Sequence, residues 1–171
     1  MRRVRYSVAM SLDGYLAGPN GESDWIVIDP DIDFQALFGA FDTILMGRKT
    51  YEAARQQGRG GGMPGMQVYV FSRTWRQADC PDAIVSDKPA ETLTALKTKS
   101  GKDIWLFGGG SLFSSLMELG LVDAIEVAII PVLLGGGVPL LPSPAKSAKL
   151  RLVKNRIYEK TGTVSLEYER M

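Results

Sequence analysis

The chain reads as a three-layer α/β/α protein, a mostly parallel central sheet between helices that ends in an antiparallel hairpin. Two observations predict this. Short apolar runs alternate with stretches of helical spacing through most of the chain, the pattern of parallel strands joined by crossover helices. Near the end, Val164, Leu166 and Tyr168 alternate with Ser165, Glu167 and Glu169 after a turn around Gly162, as a hairpin strand does. With no repeat and no linker, residues 1–171 are expected to form a single domain.

Val4, Tyr6, Val8 and Met10 alternate with polar or small residues, so the first strand lies here. Asp13-Gly14 is a turn, Tyr15-Leu16-Ala17 continues apolar, and residues 18–23 form a loop that could act as a lid ending at Trp25. Asp29-Pro30 predicts a helix start, with Phe34, Leu37, Phe38 and Phe41 on its inner face and Asp31 and Asp33 on the edges. An acid at such an edge either favours the helix dipole or reaches into a cleft.

Thr43 to Met46 is a buried strand, and Gly47-Arg48-Lys49-Thr50-Tyr51-Glu52 opens a helix. Two cations there oppose the dipole unless an anion sits between them. Gly58 to Gly65 is a glycine-rich, mobile loop. Gln67 to Phe71 is a strand ending in Ser72-Arg73, Ala83 to Val85 a short one, and Pro89 to Gly101 a helix. Ile104 to Phe107 is a strand buried on both faces. It runs through Gly108, Gly109 and Gly110 into a helix bearing Ser111, Leu112, Leu116 and Leu119. Ala124 to Pro131 is a further strand carrying one acid, Glu126, ahead of a second glycine cluster, and Leu150 to Tyr158 opens the hairpin.

Composition narrows the chemistry. A formal charge of +1 argues against a nucleic-acid or membrane footprint, and no apolar run is long enough for a membrane span. The one cysteine, Cys80, fits a reducing cytoplasm. Histidine is absent, which excludes imidazole bases, Ser-His-Asp triads and His/Cys zinc sites, and no metal is expected. Acid–base work falls to Asp, Glu, Lys, Tyr or water, an inventory suited to chemistry carried by a cofactor.

Bare glycine between a strand and a helix exposes backbone N–H groups at the positive end of a dipole. The spacing is neither a dinucleotide fingerprint nor a Walker loop, since Phe113 stands where glycine would be needed and no Gly-Lys-Ser/Thr follows. In a parallel sheet, ligands collect at the carboxyl ends of the strands. Three such ends carry anion-binding groups: Gly47 to Thr50, Ser72-Arg73 and Gly108 to Ser111. Three suggest several separated phosphates on one ligand.

Met46-Gly47-Arg48-Lys49-Thr50-Tyr51-Glu52, followed by Ser72-Arg73 and the Gly108 turn, resembles the dihydrofolate-reductase-like superfamily. Ser11-Leu12-Asp13-Gly14-Tyr15-Leu16-Ala17, Gly21 to Ile26, Gly108 to Asp123 and Pro131 to Gly137 resemble the reductase domain of bifunctional riboflavin-biosynthesis deaminase–reductases. The likeness implies a dihydrofolate-reductase-like fold and NADPH-dependent hydride transfer to a small heterocyclic or ribosylamino substrate. The alternatives are dihydrofolate reduction and an NADP-binding module without turnover. By the same resemblance Arg48, Ser72 and Arg73 would hold the 2′-phosphate, with Lys49 nearby. Gly47, Thr50 and residues Gly108, Gly109, Gly110, Ser111 and Leu112 would surround the pyrophosphate. Ala9, Leu16 and Ala17 would contact the nicotinamide, and Asp13, Trp25 and Asp33 the substrate. The catalytic acid is left among Asp33, Asp31 and Glu126. Tyr15 stands where the riboflavin branch typically has lysine, and Asp24 replaces the proline of a Pro-Trp pair. The zinc-bearing deaminase half has no counterpart in these residues. The C-terminal hairpin could support a homodimer.

Overall fold

The computed structural model describes residues 1–58 and 63–171, so the core of the expected glycine-rich loop, residues 59–62, lies outside it. In chain order the elements are β1 (Val4–Ser11), β2 (Tyr15–Ala17), α1 (Phe34–Gly39), β3 (Phe41–Gly47), α2 (Arg48–Gln56), β4 (Gln67–Phe71), β5 (Ile84–Ser86) and α3 (Pro89–Thr98). Then come β6 (Asp103–Gly108), α4 (Gly110–Glu118), β7 (Ala124–Ile130), β8 (Val138–Pro139), β9 (Leu150–Tyr158) and β10 (Thr163–Arg170).

Eight strands form one sheet in the order β5-β4-β3-β6-β1-β7-β10-β9. Every pairing from β5 across to β7 is parallel, while β10 runs antiparallel to both β7 and β9. The chain leaves β1 in one direction through α1 and α2, then returns through α3 and α4. Right-handed crossovers put the two helix pairs on opposite faces. Packing agrees. Leu93 and Leu96 of α3 and Phe113 and Leu116 of α4 share one core with Val4, Tyr6 and Leu106, and Tyr6 stacks on Phe113 at 3.9 Å. On the other face, Phe38 of α1 and Tyr51 of α2 pack with Phe41, Ile44, Val70 and Trp105.

A separate ribbon pairs β2 with β8. It explains the second glycine cluster: a Cβ on Gly137 (φ +139°) would stand 2.1 Å from the Ala17 carbonyl oxygen, so only glycine admits this approach.

One expectation is corrected. No helix starts at Asp29-Pro30; α1 begins at Phe34 with Asp33 as its N-cap, and Phe41 belongs to β3. The Asp29 carboxylate is buried and accepts from the Asp31 N–H (2.9 Å) and the Thr161 hydroxyl (2.8 Å), which folds residues 29–32 into a turn. Burial favours the neutral Asp29 carboxyl, but those bonds and the nearby Lys160 charge outweigh it and hold the group below its ordinary range.

Candidate active site

β3 lies between β4 and β6, so the three strand ends singled out in the sequence are neighbours: Gly47 pairs with Phe71, and Met46 with Gly108. Two helices start on this edge. Gly47 and Gly109 are the N-caps of α2 and α4, neither supplies a side-chain cap, and neither first turn contains an acid. The two starts approach closely, since a Cβ on Gly109 would lie 3.1 Å from Thr50 Oγ1 and one on Gly47 3.8 Å from the Gly109 nitrogen. Gly108, with φ +137°, turns the chain between strand and helix, and the Gly108–Gly109 peptide is cis. Backbone N–H groups left over at both termini face the same edge with aligned dipoles.

Cations complete the edge. The Arg48 guanidinium sits 6.0 Å over the Trp75 ring and, among the described residues, makes only a long 3.7 Å pair with Glu52. Ser72 Oγ accepts from the N–H groups of Thr74 and Trp75 and fixes the turn that carries the exposed Arg73. Among the described residues neither Lys49 nor Arg73 has a carboxylate within salt-bridge distance. Ser111 is exposed, Leu112 packs against the core, and Gly110 lies against Pro142, where a Cβ would come within 2.9 Å of Cδ. Free amides, a hydroxyl, two unpaired cations and no first-turn acid fit the phosphates of a nicotinamide dinucleotide.

Next to this edge the sheet opens. β1 pairs with β6 only from Val4 to Tyr6, whereas its pairing with β7 continues to Ser11. Past Tyr6, the β6-facing edge of β1 leaves the ladder, and the Trp105 indole N–H donates to the Ser7 carbonyl at 3.0 Å. The gap opens into a cleft of about 500 Å³. Its floor is the sheet face of β1, β7, β10 and β9; its roof is Ile26 to Ile28, Ile32 and the Phe34, Leu37 and Phe38 face of α1.

The structure distributes the candidate residues unevenly. Ala9, Asp33 and Glu126 line the cleft. Asp33 also accepts from the Ala36 N–H at 2.9 Å as the α1 cap. Asp31 is outside the lining and exposed, in an ion pair with Lys160 at 2.8 Å. Asp13 is outside it too. Its carboxylate accepts from Ser11 Oγ (2.6 Å) and from the N–H groups of Gly135 (2.7 Å) and Leu134 (3.1 Å), which lower its pKa to about 2. Trp25 donates to the Glu22 carbonyl at 3.0 Å and closes the 18–23 loop on itself. Leu16 and Ala17 sit on β2, outside the cleft lining, and Leu16 packs against the core shared by α3 and α4.

Arg5 and Glu167 escaped the sequence reading. Arg5 Nε donates to Glu126 Oε1 at 2.6 Å, Arg5 Nη1 lies 3.3 Å from Asp103 Oδ2, and the guanidinium covers the Phe41 ring at 4.6 Å. Burial works against the Arg5 charge, but bonding and attraction from Glu126 and then Asp103 outweigh it and raise its pKa. Glu167 stands opposite Glu126 in the ladder. The available signal was a row of alternate polar or small residues, Arg5, Ser7 and Ala9, on a strand at the centre of the sheet.

Comparison with known proteins bears on the fold and the family. The chain is 36% identical over 178 residues to the uncharacterized protein YyaP of Bacillus subtilis (strain 168), covering 98% of this chain and 94% of that one. Its fold matches a crystal structure described as a candidate riboflavin biosynthesis protein from Shewanella sp. PV-4, with a TM-score of 0.81 at 25% identity over 100% of this chain and 99% of the other. It also matches the fold of Enterococcus faecalis dihydrofolate reductase, a structure complexed with NADP(H), with a TM-score of 0.69 at 17% identity over 98% and 96% of the two chains. The model of the RibD C-terminal domain matches residues 2–163, so the chain belongs to the RibD C-terminal domain family.

Proposed function

We propose that this chain is an NADPH-dependent reductase of the riboflavin-biosynthesis type, a single catalytic unit over residues 1–171 that transfers hydride to a small heterocyclic or ribosylamino substrate. The observation that carries the reading is that β1 parts from β6 beyond Tyr6, with the strand ends that carry the anion-binding groups on one side of the gap and the cleft-lining residues of β1 on the other. NADPH, when bound, supplies the hydride. Arg48, Ser72 and Arg73 take the 2′-phosphate, with Lys49 alongside. Gly47, Thr50 and the amides from Gly108 to Leu112 surround the pyrophosphate. Ala9 offers a small surface for the nicotinamide, with Leu16 and Ala17 behind it. Phe34, Leu37 and Phe38 exclude water from the reacting carbon. Asp33, at the cleft wall, holds the proton for the reduced product, and Glu126 is the second acid in reach. A reducing cytoplasm suits the buried free thiol of Cys80.

Single-turnover oxidation of NADPH, followed by absorbance with a panel of aminopyrimidines and pterins, tests the activity. Oxidation with an aminopyrimidine is expected. Oxidation with dihydropterins alone would make the chain a dihydrofolate reductase, and binding without oxidation across the panel would make it an NADP-binding module.

A homodimer through β9 is part of the proposal. The outer edge of β9 is unpaired among the described residues, and Leu150, Leu152, Val153 and Ile157 are exposed. Antiparallel pairing of two copies centred on Val153 would set Leu152 opposite Lys154, Arg151 opposite Asn155 and Leu150 opposite Arg156, with no like charges face to face.

A further inference from the structure

The cleft floor is built from two rungs of the sheet. In one, Ala9, Ala128 and Ser165 stand side by side, ending at Arg156; in the other, Ser7, Glu126 and Glu167 end at Lys154. Two residues separate the rungs, roughly 6.6 Å along the strands. The first rung is small and flat beneath the apolar roof. The second carries Glu126, which forms a half-spent charged pair against the cleft with Arg5, two residues before Ser7 on β1.

That pair is Arg5 and Glu126. Their side chains are 17% and 12% exposed, and the exposed part faces the cleft. Glu126 Oε1 is taken by Arg5 Nε, and Arg5 Nη1 leans to Asp103. Among the described residues, Glu126 Oε2 and Arg5 Nη2 have no partner. Glu167, directly across the ladder from Glu126, is a like charge, offset by Arg3 at 3.6 Å and by Lys154 opposite it on β9. A carboxylate with both oxygens free offers two acceptors. This one offers a single acceptor beside a guanidinium donor.

We propose that Arg5 and Glu126 read the lactam edge of the substrate ring: Glu126 accepts from a ring N–H, and Arg5 donates to the adjacent ring carbonyl. This rests on the reductase reading and adds a specificity to it. The flat ring lies over Ala9 and Ala128, with its reacting carbon toward the gap and its polar edge on the pair. A ring carrying an amino group in place of that carbonyl loses the ring N–H as well, so it turns a lone pair toward Glu126 and an N–H donor toward the guanidinium. The pair therefore selects oxo over diamino heterocycles of the same size.

Calorimetry with NADP⁺-saturated protein, using pterin and 2,4-diaminopteridine as probes, tests this on the wild-type chain. The two probes differ in whether position 4 of the ring accepts or donates. Pterin is expected to bind at least about tenfold more tightly, the scale of one charge-assisted hydrogen bond. Glu126→Gln should remove that preference while its thermal shift with NADPH stays that of wild type, which also reports that the variant folds. Equal or tighter binding of the diamino ring, no binding of either ring, or an unchanged preference in Glu126→Gln would overturn the proposal and leave the reductase reading standing. Loss of the NADPH shift in the wild-type chain would overturn both.

Discussion

At the scale of single residues, the proposed cofactor edge would divide its work between backbone and side chains. Amide groups at the starts of α2 and α4 would serve any phosphate, whereas Arg48 and Arg73 would add the charge that a 2′-phosphate calls for. Each charge-assisted hydrogen bond contributes about 1.5–3 kcal/mol net. The double variant Arg48→Ala/Arg73→Ala is therefore expected to weaken NADPH by about two orders of magnitude, at ~1.4 kcal/mol per tenfold. NADH, which lacks the phosphate, should bind nearly as before. Titration of both cofactors by fluorescence decides it, and an equal loss for NADH would remove these arginines from 2′-phosphate recognition. The acids differ in the same way. Asp33 is in the cleft yet already caps a helix, Asp31 is committed to Lys160, and Glu126 keeps one oxygen free only because Arg5 takes the other.

At the scale of elements, Asp13 ties the β1–β2 turn to the loop ahead of β8 through the Leu134 and Gly135 amides. Those bonds, led by the one from Ser11, lower the Asp13 pKa from 3.8 to about 2. A carboxylate with a depressed pKa stabilises the fold above its unfolded value, and the contribution is lost as pH falls through the folded one. The clamp should therefore hold at pH 4 and release toward ~2, a window Asp13→Asn abolishes. Amide shifts of Leu134 and Gly135 in a pH titration report it; a midpoint at the ordinary carboxylate value would mean the clamp is not made. Local signals made most elements legible, and β4 and β9 begin and end where their apolar patterns do. The false start at Asp29-Pro30 has a physical cause. Its capping side chain is taken by Thr161, 132 positions away, which no window of sequence around Asp29 contains. Arg5, whose partner Glu126 lies 121 positions on, was missed for the same reason. The three adjacent strand ends could be singled out because each carries its own glycine, hydroxyl or cation within a few residues.

At the scale of the whole molecule, one edge of the sheet remains open. The parallel end stops at the three-residue β5, while β9 runs for nine residues with Ile157 66% exposed. Long unpaired edges attract another strand. Sedimentation should find the chain as a dimer and Val153→Asp, which sets two carboxylates face to face at the centre of the pairing, as a monomer. A monomeric wild-type chain at micromolar concentration would sink the β9 interface. The Arg5–Glu126 floor lies in the same half of the sheet as β9, so the dimer contact would border the cleft through Lys154 and Arg156.

The position of β1 also sets the order in which the protein can assemble. β1 precedes both of its neighbours in the chain and lies in the middle of the sheet, between β6 and β7. The Arg3 N–H waits for the Asp103 carboxylate, 100 residues on, and the Val4 N–H for that of Asp123, 119 residues on. Closing such loops comes late and is entropically expensive, and folds dominated by distant pairings form slowly. On the ribosome β1 has neither neighbour until β6 (Asp103–Gly108) has emerged, and it lacks the second until β7 follows, so its apolar residues Val4, Tyr6 and Val8 stay uncovered in the meantime. Arg2, Arg3 and Arg5 keep that waiting segment charged, which protects it from pairing with another nascent chain before β6 and β7 arrive.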